Sequence, residues 1–103
     1  MPDMSRIMLP QGPQPMDTIG PVVRARRRAL GITQEGLAAK TRLDRTYISS
    51  IERGQRNPTL QVLAVLSVGL ELHRGALMDA VVDAMTEQDP WYAEAVRRGS
   101  VDE

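Results

Sequence analysis

Cysteine is absent from the chain, histidine occurs once, and the formal net charge over 103 residues is zero. Without cysteine there is neither a disulfide nor a thiolate, and His73 alone cannot build a zinc site, so no metal and no cofactor are expected. No apolar run approaches the length of a membrane span, and the N-terminus lacks a signal-peptide pattern. A cytoplasmic protein with no membrane partner is the expectation. A glycine-rich phosphate loop is also missing, as is a pair of carboxylates that folding would bring together in the central region. The chain is therefore poorly equipped as an enzyme, and no catalytic residues are assigned.

Zero net charge argues at first against a nucleic-acid partner, but the charges are unevenly placed. Between Ile19 and Leu72 stand Arg24, Arg26, Arg27, Arg28, Lys40, Arg42, Arg45, Arg53 and Arg56, against Glu35, Asp44, Glu52 and Glu71. The acids Asp79, Asp83, Glu87, Asp89, Glu94, Asp102 and Glu103 crowd the C-terminal third. A basic body with an acidic end suits a DNA binder whose other face meets protein.

The chain is organised around Thr33 to Pro58, TQEGLAAKTRLDRTYISSIERGQRNP. Thr33 is placed to cap a helix, with Gln34 and Glu35 in its first turn and Leu37 and Ala38 on its apolar face. Thr41-Arg42-Leu43 breaks that helix, and Asp44 caps a second one. In the second helix Ile48 and Ile51 share one face, while Arg45, Thr46, Ser49, Ser50 and Arg53 fall on the other. Gly54 closes it, and Gln55 to Pro58 form a loop. A short helix with small and basic residues near its start can enter the major groove end first.

TQEGLA, LDRTYISSIERG and RNPTL, in this order and spacing, resemble the Xre/lambda-repressor-like helix-turn-helix family. LDRTYIS-IER--RN is particularly similar to the controller proteins of restriction–modification systems. The likeness covers roughly Ile19 to Leu72 and implies an all-α fold: a compact five-helix helix-turn-helix domain with a short additional C-terminal helix. It departs from the pattern at Arg42, where the family often has glycine, and at Gly36 inside the first helix of the motif. The resemblance also implies that Arg27 pairs with Glu52, tying the first helix to the recognition helix. Four arginines in five positions cannot face one duplex, since successive residues point about 100° apart. Arg24, Arg26 and Arg28 are then mostly a solvated face, with phosphate in reach at its edge.

Base contacts are expected from Arg45, Thr46 and Ser50, with Tyr47 at the groove wall, and phosphate contacts from Thr33, Gln34, Arg53, Gln55, Arg56 and Asn57. Residues 1–16 are expected to form a disordered arm and residues 17–72 the DNA-binding domain, whose first helix is capped by Asp17 or Thr18 and carries Pro21 in its first turn. After the Thr59 cap, Leu60, Leu63, Leu66 and Leu70 form a core stripe, with Val62, Val65 and Val68 outside it. A helix apolar on most of its circumference needs a second cover. Residues 73–103 are expected to supply it as a dimerisation extension. Its interface would comprise Val62, Val65, Met78, Val81, Val82 and Met85, edged by Trp91. Asp89 and Pro90 start a last helix ending at Gly99, docked by Trp91, Ala95, Tyr92 and Val96. A homodimeric transcription regulator on a palindromic operator in double-stranded DNA accounts for the most features. An antitoxin, or another interaction module that binds a toxin or regulatory protein, could use the same fold.

Overall fold

The computed structural model describes residues 14–101, and of positions 92, 96, 100 and 101 the backbone alone. Six α-helices and no strand occur among the described residues: α1 (Pro15–Ala29), α2 (Gln34–Thr41), α3 (Arg45–Glu52), α4 (Leu60–Gly69), α5 (Ala76–Gln88) and α6 (Pro90–Val101). The expected arm lies outside this range up to residue 13.

Helix α1 starts earlier than Asp17. The Asp17 carboxylate turns back to accept from the Gln14 backbone N–H at 2.8 Å, which caps the end of the chain's first described segment. Pro15, whose fixed φ suits a first helical position, opens the helix, so Pro21 lies inside it and not in its first turn. At an exposed interior site the proline costs the helix one N–H donor.

Helices α2 to α4 begin with the capping expected of Thr33, Asp44 and Thr59. These side chains accept from the backbone N–H of Gly36, Thr46 and Val62 at 2.9, 2.8 and 3.1 Å. The ends are equally regular, because all of α1 to α4 close on a left-handed residue. Gly31 (φ 71°) and Gly54 (φ 72°) do so without strain, whereas Arg42 (φ 62°) and Glu71 (φ 54°) carry side chains there. Glu71 is held by its neighbours: Lys40 Nζ donates to its carboxylate at 3.1 Å, and Arg26 donates to the carbonyls of Leu70 (2.9 Å) and Glu71 (3.1 Å). Arg26 therefore caps the C-terminus of α4, where positive charge meets unpaired carbonyls.

Ile19, Val23, Leu37, Ile48, Ile51, Leu66, Leu70, Leu77, Val81 and Met85 form one buried core. A tight joint lies between α1 and the end of α3, where a Cβ on Gly20 would stand 2.6 Å from the carbonyl oxygens of both Ile51 and Glu52. Gly69 plays the same part between α4 and α2, since a Cβ there would meet Thr41 Cγ2 at 2.5 Å.

Two expectations about packing are corrected. The core does not stop at Leu72: α5 packs along α1 and adds Leu77, Val81 and Met85, spaced one turn apart, to the monomer interior. Val81 and Met85 are therefore covered within one chain. Leu60 in turn is not a core residue but is 76% exposed, because it opens α4 directly after the exposed 55–57 loop. Helix α6 begins as expected, with Asp89 Oδ1 accepting from the Trp91 N–H at 3.0 Å, but it continues through Gly99. Trp91 is 57% exposed, and the docking expected of Tyr92 and Val96 lies outside the described side chains.

Arg42 sits exposed at its left-handed position with no covering contact needed from its side chain. Arg42→Gly is expected to raise stability by about 0.5–1 kcal/mol, the left-handed penalty less the extra freedom glycine gives the unfolded chain. Thermal or urea denaturation measures this directly, and an unchanged or lowered midpoint would contradict it.

Candidate nucleic-acid interface

Helix α3 is anchored by its buried face. Ile48 and Ile51 are enclosed, and Glu52, one residue further, is the buried acid among the described residues. The Glu52 carboxylate, with no side-chain exposure, takes a two-pronged pair from Arg27: Nε to Oε2 at 2.7 Å and Nη2 to Oε1 at 3.0 Å. Arg27 Nη1 also donates to the Ile32 carbonyl at 3.0 Å, which fixes the loop entering α2. Two further donors reach Oε1, the Gln34 amide at 3.2 Å and Arg24 Nε at 3.4 Å. No buried side-chain nitrogen or oxygen is left without a partner among the described residues. Burial alone would raise the Glu52 pKa, but the hydrogen bonds from Arg27, Gln34 and Arg24 outweigh it and hold the carboxyl below its ordinary value. The hydrogen bond to Glu52 likewise raises Arg27 against the opposing effect of burial.

This cluster sets the outward face of the motif. Arg45 and Thr46 are exposed in the first turn of α3, Ser50 is half-buried with its hydroxyl donating to the Thr46 carbonyl at 2.9 Å, and Tyr47 packs its ring on the core edge. The Arg56 guanidinium lies 5.5 Å above the Tyr47 ring, a cation–π distance that joins the loop to the helix. After Arg53, the Gly54 N–H donates to the Ile51 carbonyl (3.0 Å) and the Gln55 N–H to that of Ser50 (2.9 Å). This double bond pattern turns the chain sharply so that Gln55, Arg56 and Asn57 stand exposed beside α3. Thr33 is exposed at the start of α2, where the first-turn N–H groups of a helix favour an anion.

Gln34, expected at phosphate, has its side chain engaged within the fold. Its side chain is turned inward: Nε2 donates to Glu52, and Oε1 accepts from Arg45 Nη1 at 3.5 Å. The residue thus bridges the buried pair and the outermost arginine of α3, which leaves its backbone, not its amide, free for phosphate. Sequence reasoning could have found this bridge only by knowing how α2 and α3 cross. Of the expected dimer residues, Val81 and Met85 are interior, Val62 packs against the core and Val65 is half-buried. Met78 and Val82 do reach the surface, at 46% and 37% exposure. Leu60, a core residue by its period, lines an apolar groove with Met78 instead.

Two short helices joined by a tight turn, the second presenting its first turn outward and the first crossing behind it, define a helix-turn-helix protein. The chain belongs to the Xre/lambda-repressor-like helix-turn-helix family: the family model described as helix-turn-helix matches residues 23–76. It is similar to control protein C.MunI of Mycoplasma sp, at 47% identity over 47 residues, which is 46% of this chain and 64% of that protein. Among solved structures it is similar to the restriction–modification controller protein C.Esp1396I, a tetramer in complex with its natural 35 base-pair operator. That likeness has 36% identity, covers 70% of this chain and 95% of that one, and gives a TM-score of 0.62. The controller protein C.AhdI from Aeromonas hydrophila matches at 37% identity over 60% of this chain and 94% of that one, with a TM-score of 0.58. The chain spans less than two thirds of the length of the curated relatives it matches.

Removing Glu52 leaves Arg27 buried and charged without a counter-ion, so Glu52→Ala is expected to destabilise the fold by about 3–5 kcal/mol. The double change Arg27→Met with Glu52→Leu is expected to recover much of that loss. Because the Glu52 pKa is depressed in the folded state, its stabilisation is complete above the ordinary glutamate range and is lost as pH falls through the folded value. Denaturation midpoints from neutral pH down to about pH 3 should therefore fall more steeply for the native chain than for Glu52→Gln. Parallel acid limbs would remove Glu52 from the acid response.

Proposed function

We propose that the chain is a sequence-specific DNA-binding transcriptional regulator that acts as a homodimer on a palindromic operator. The observation that carries this reading is the exposed first turn of α3, with Arg45 and Thr46 outward, held from behind by Ile48, Ile51 and the Arg27–Glu52 pair. Arg45 is the basic side chain of that turn and is suited to a two-pronged bond to guanine in the major groove. Thr46, Tyr47 and Ser50 complete the base-facing set. Thr33, the Gln34 backbone, Arg53, Gln55, Arg56 and Asn57 surround it as phosphate contacts. The controller-protein resemblance and a relative bound to its operator as a tetramer support the same assignment.

One recognition helix reads only a few base pairs, so a single subunit discriminates weakly, and a two-fold pair on half-sites about 34 Å apart doubles the readout. Of the residues expected at the pairing surface, Met78 and Val82 are the exposed ones, and Leu60 is exposed as well. Leu60 and Met78 line an open apolar groove of about 280 Å³ together with Leu63, Pro15 and Ile19, and pairing is expected through this face and Val82. A second copy presenting the same patch would cover these side chains.

Arg45→Ala is expected to cost about 1–3 kcal/mol on the specific site and far less on random DNA. Footprinting on DNA upstream of its own gene, followed by anisotropy titrations at stated salt, measures both. Equal losses on the two DNAs would reassign Arg45 to phosphate. A charge at the exposed patch, Leu60→Asp or Val82→Asp, is expected to dissociate the dimer in sedimentation and abolish tight operator binding while helicity is retained. Val81→Asp, by contrast, is expected to unfold the chain, because Val81 is interior. A native protein that sediments as a monomer at micromolar concentration would refute the dimer.

A further inference from the structure

The structure sorts the four clustered arginines of α1 into different tasks. Arg27 is the buried partner of Glu52, and Arg26 is engaged by the Leu70 and Glu71 carbonyls. Helical geometry places Arg24 and Arg28, four residues apart, within about 40° of each other and both about 160° from Arg26. Arg24 lies on the flank of α1 that faces the end of α3, as its contact with Glu52 at 3.4 Å shows, and Arg28 lies one turn further along, beside it.

Arg24 is a surplus cation on that flank. Glu52 Oε1 already accepts from Arg27 Nη2 (3.0 Å) and Gln34 Nε2 (3.2 Å), both shorter contacts than that to Arg24 Nε. One buried carboxylate thus faces two guanidinium groups, and the local charge sums to plus one. The Arg24 side chain is 42% exposed, and only its Nε is directed at Glu52, so the terminal nitrogens remain for another acceptor. Arg28 is exposed one turn further along, with no hydrogen-bond or ion-pair partner among the described residues. Gln34, bonded to the same Glu52 oxygen as Arg24, is also bonded to Arg45. Arg24 therefore sits on the rim of the surface that carries Arg45.

We propose that Arg24 and Arg28 form a phosphate-binding edge that extends the DNA interface from the α2 N-terminus onto α1. The proposal rests on the DNA-binding reading, and it names an acceptor class for the exposed Arg28 guanidinium and the terminal nitrogens of Arg24. Glu52 orients Arg24 through Nε, so the side chain is already directed when a phosphate oxygen arrives, and its two terminal nitrogens suit the paired oxygens of that group.

The test is the salt dependence of binding to a short mixed-sequence duplex, measured by anisotropy with the full chain and with Arg24→Ala, Arg28→Ala and the double variant. Each lost phosphate contact is expected to reduce the slope of log K against log salt by about 0.9, so the double variant loses about twice that. Arg24→Lys is expected to restore most of the slope. Arg28→Ala keeps the proposal open to test even if Arg24→Ala proves unstable, because Arg28 is exposed and has no hydrogen-bond or ion-pair partner among the described residues. If Arg24 acted only by neutralising Glu52, Arg24→Ala would lower the melting temperature and leave the slope unchanged. Unchanged slopes in both single variants would overturn the proposal while leaving the DNA-binding reading intact. Absence of binding by the native chain to any duplex would instead sink both.

Discussion

The pairing of Arg27 with Glu52 is the interaction on which the arrangement of the motif depends. A fully buried carboxylate at the end of α3 is tolerable only because donors from α1 and α2 converge on it, and this requirement fixes three helices against one another. The pair does not add stability in proportion to its bonds, since burial of both charges opposes much of their attraction. Its effect is geometric. Arg27 reaches the Ile32 carbonyl as well, so the same side chain sets the entry to α2 and the exit of α3.

From that joint the remaining features follow in order. Ile48 and Ile51 can be enclosed because Gly20 lets the α1 backbone approach the last turn of α3. With its inner face enclosed, α3 presents Arg45 and Thr46 on the outside, and the tight reversal at Gly54 brings Arg56 over Tyr47. Helix α5 packs along α1 and carries the acids Asp79, Asp83 and Glu87 exposed, on a helix separate from the helix-turn-helix pair. The even overall charge conceals this separation.

The motif was legible from caps and spacing: Thr33, Asp44 and Thr59 each accept the backbone bond their positions suggested, and Arg42 takes the left-handed conformation that its family position required. The partner of Glu52 came from resemblance, because residues 25 apart carry no local signal of contact. Packing beyond the motif was less legible. Periodicity shows which side chains share a face of α4 or α5 but not which face another helix will cover, and α4 is apolar almost all round. Val81 and Met85 are interior because α5 crosses α1, and Leu60 is exposed because it opens α4 beside the exposed loop; the period alone shows neither. Gln34 was hidden for a similar reason, since an amide at a first helical turn can face either DNA or the neighbouring helix.

The contact at Gly20 has a consequence for how such a protein can change over generations. The position of α3 is set by backbone oxygens meeting a glycine and by side chains on its inner face, none of which contributes to the outer surface. Positions 45, 46 and 50 can therefore exchange side chains without shifting the helix that carries them. If those positions read bases as proposed, new sequence preferences can arise by single substitutions on a frame that stays still, and the frame itself can acquire mutations only where that joint permits.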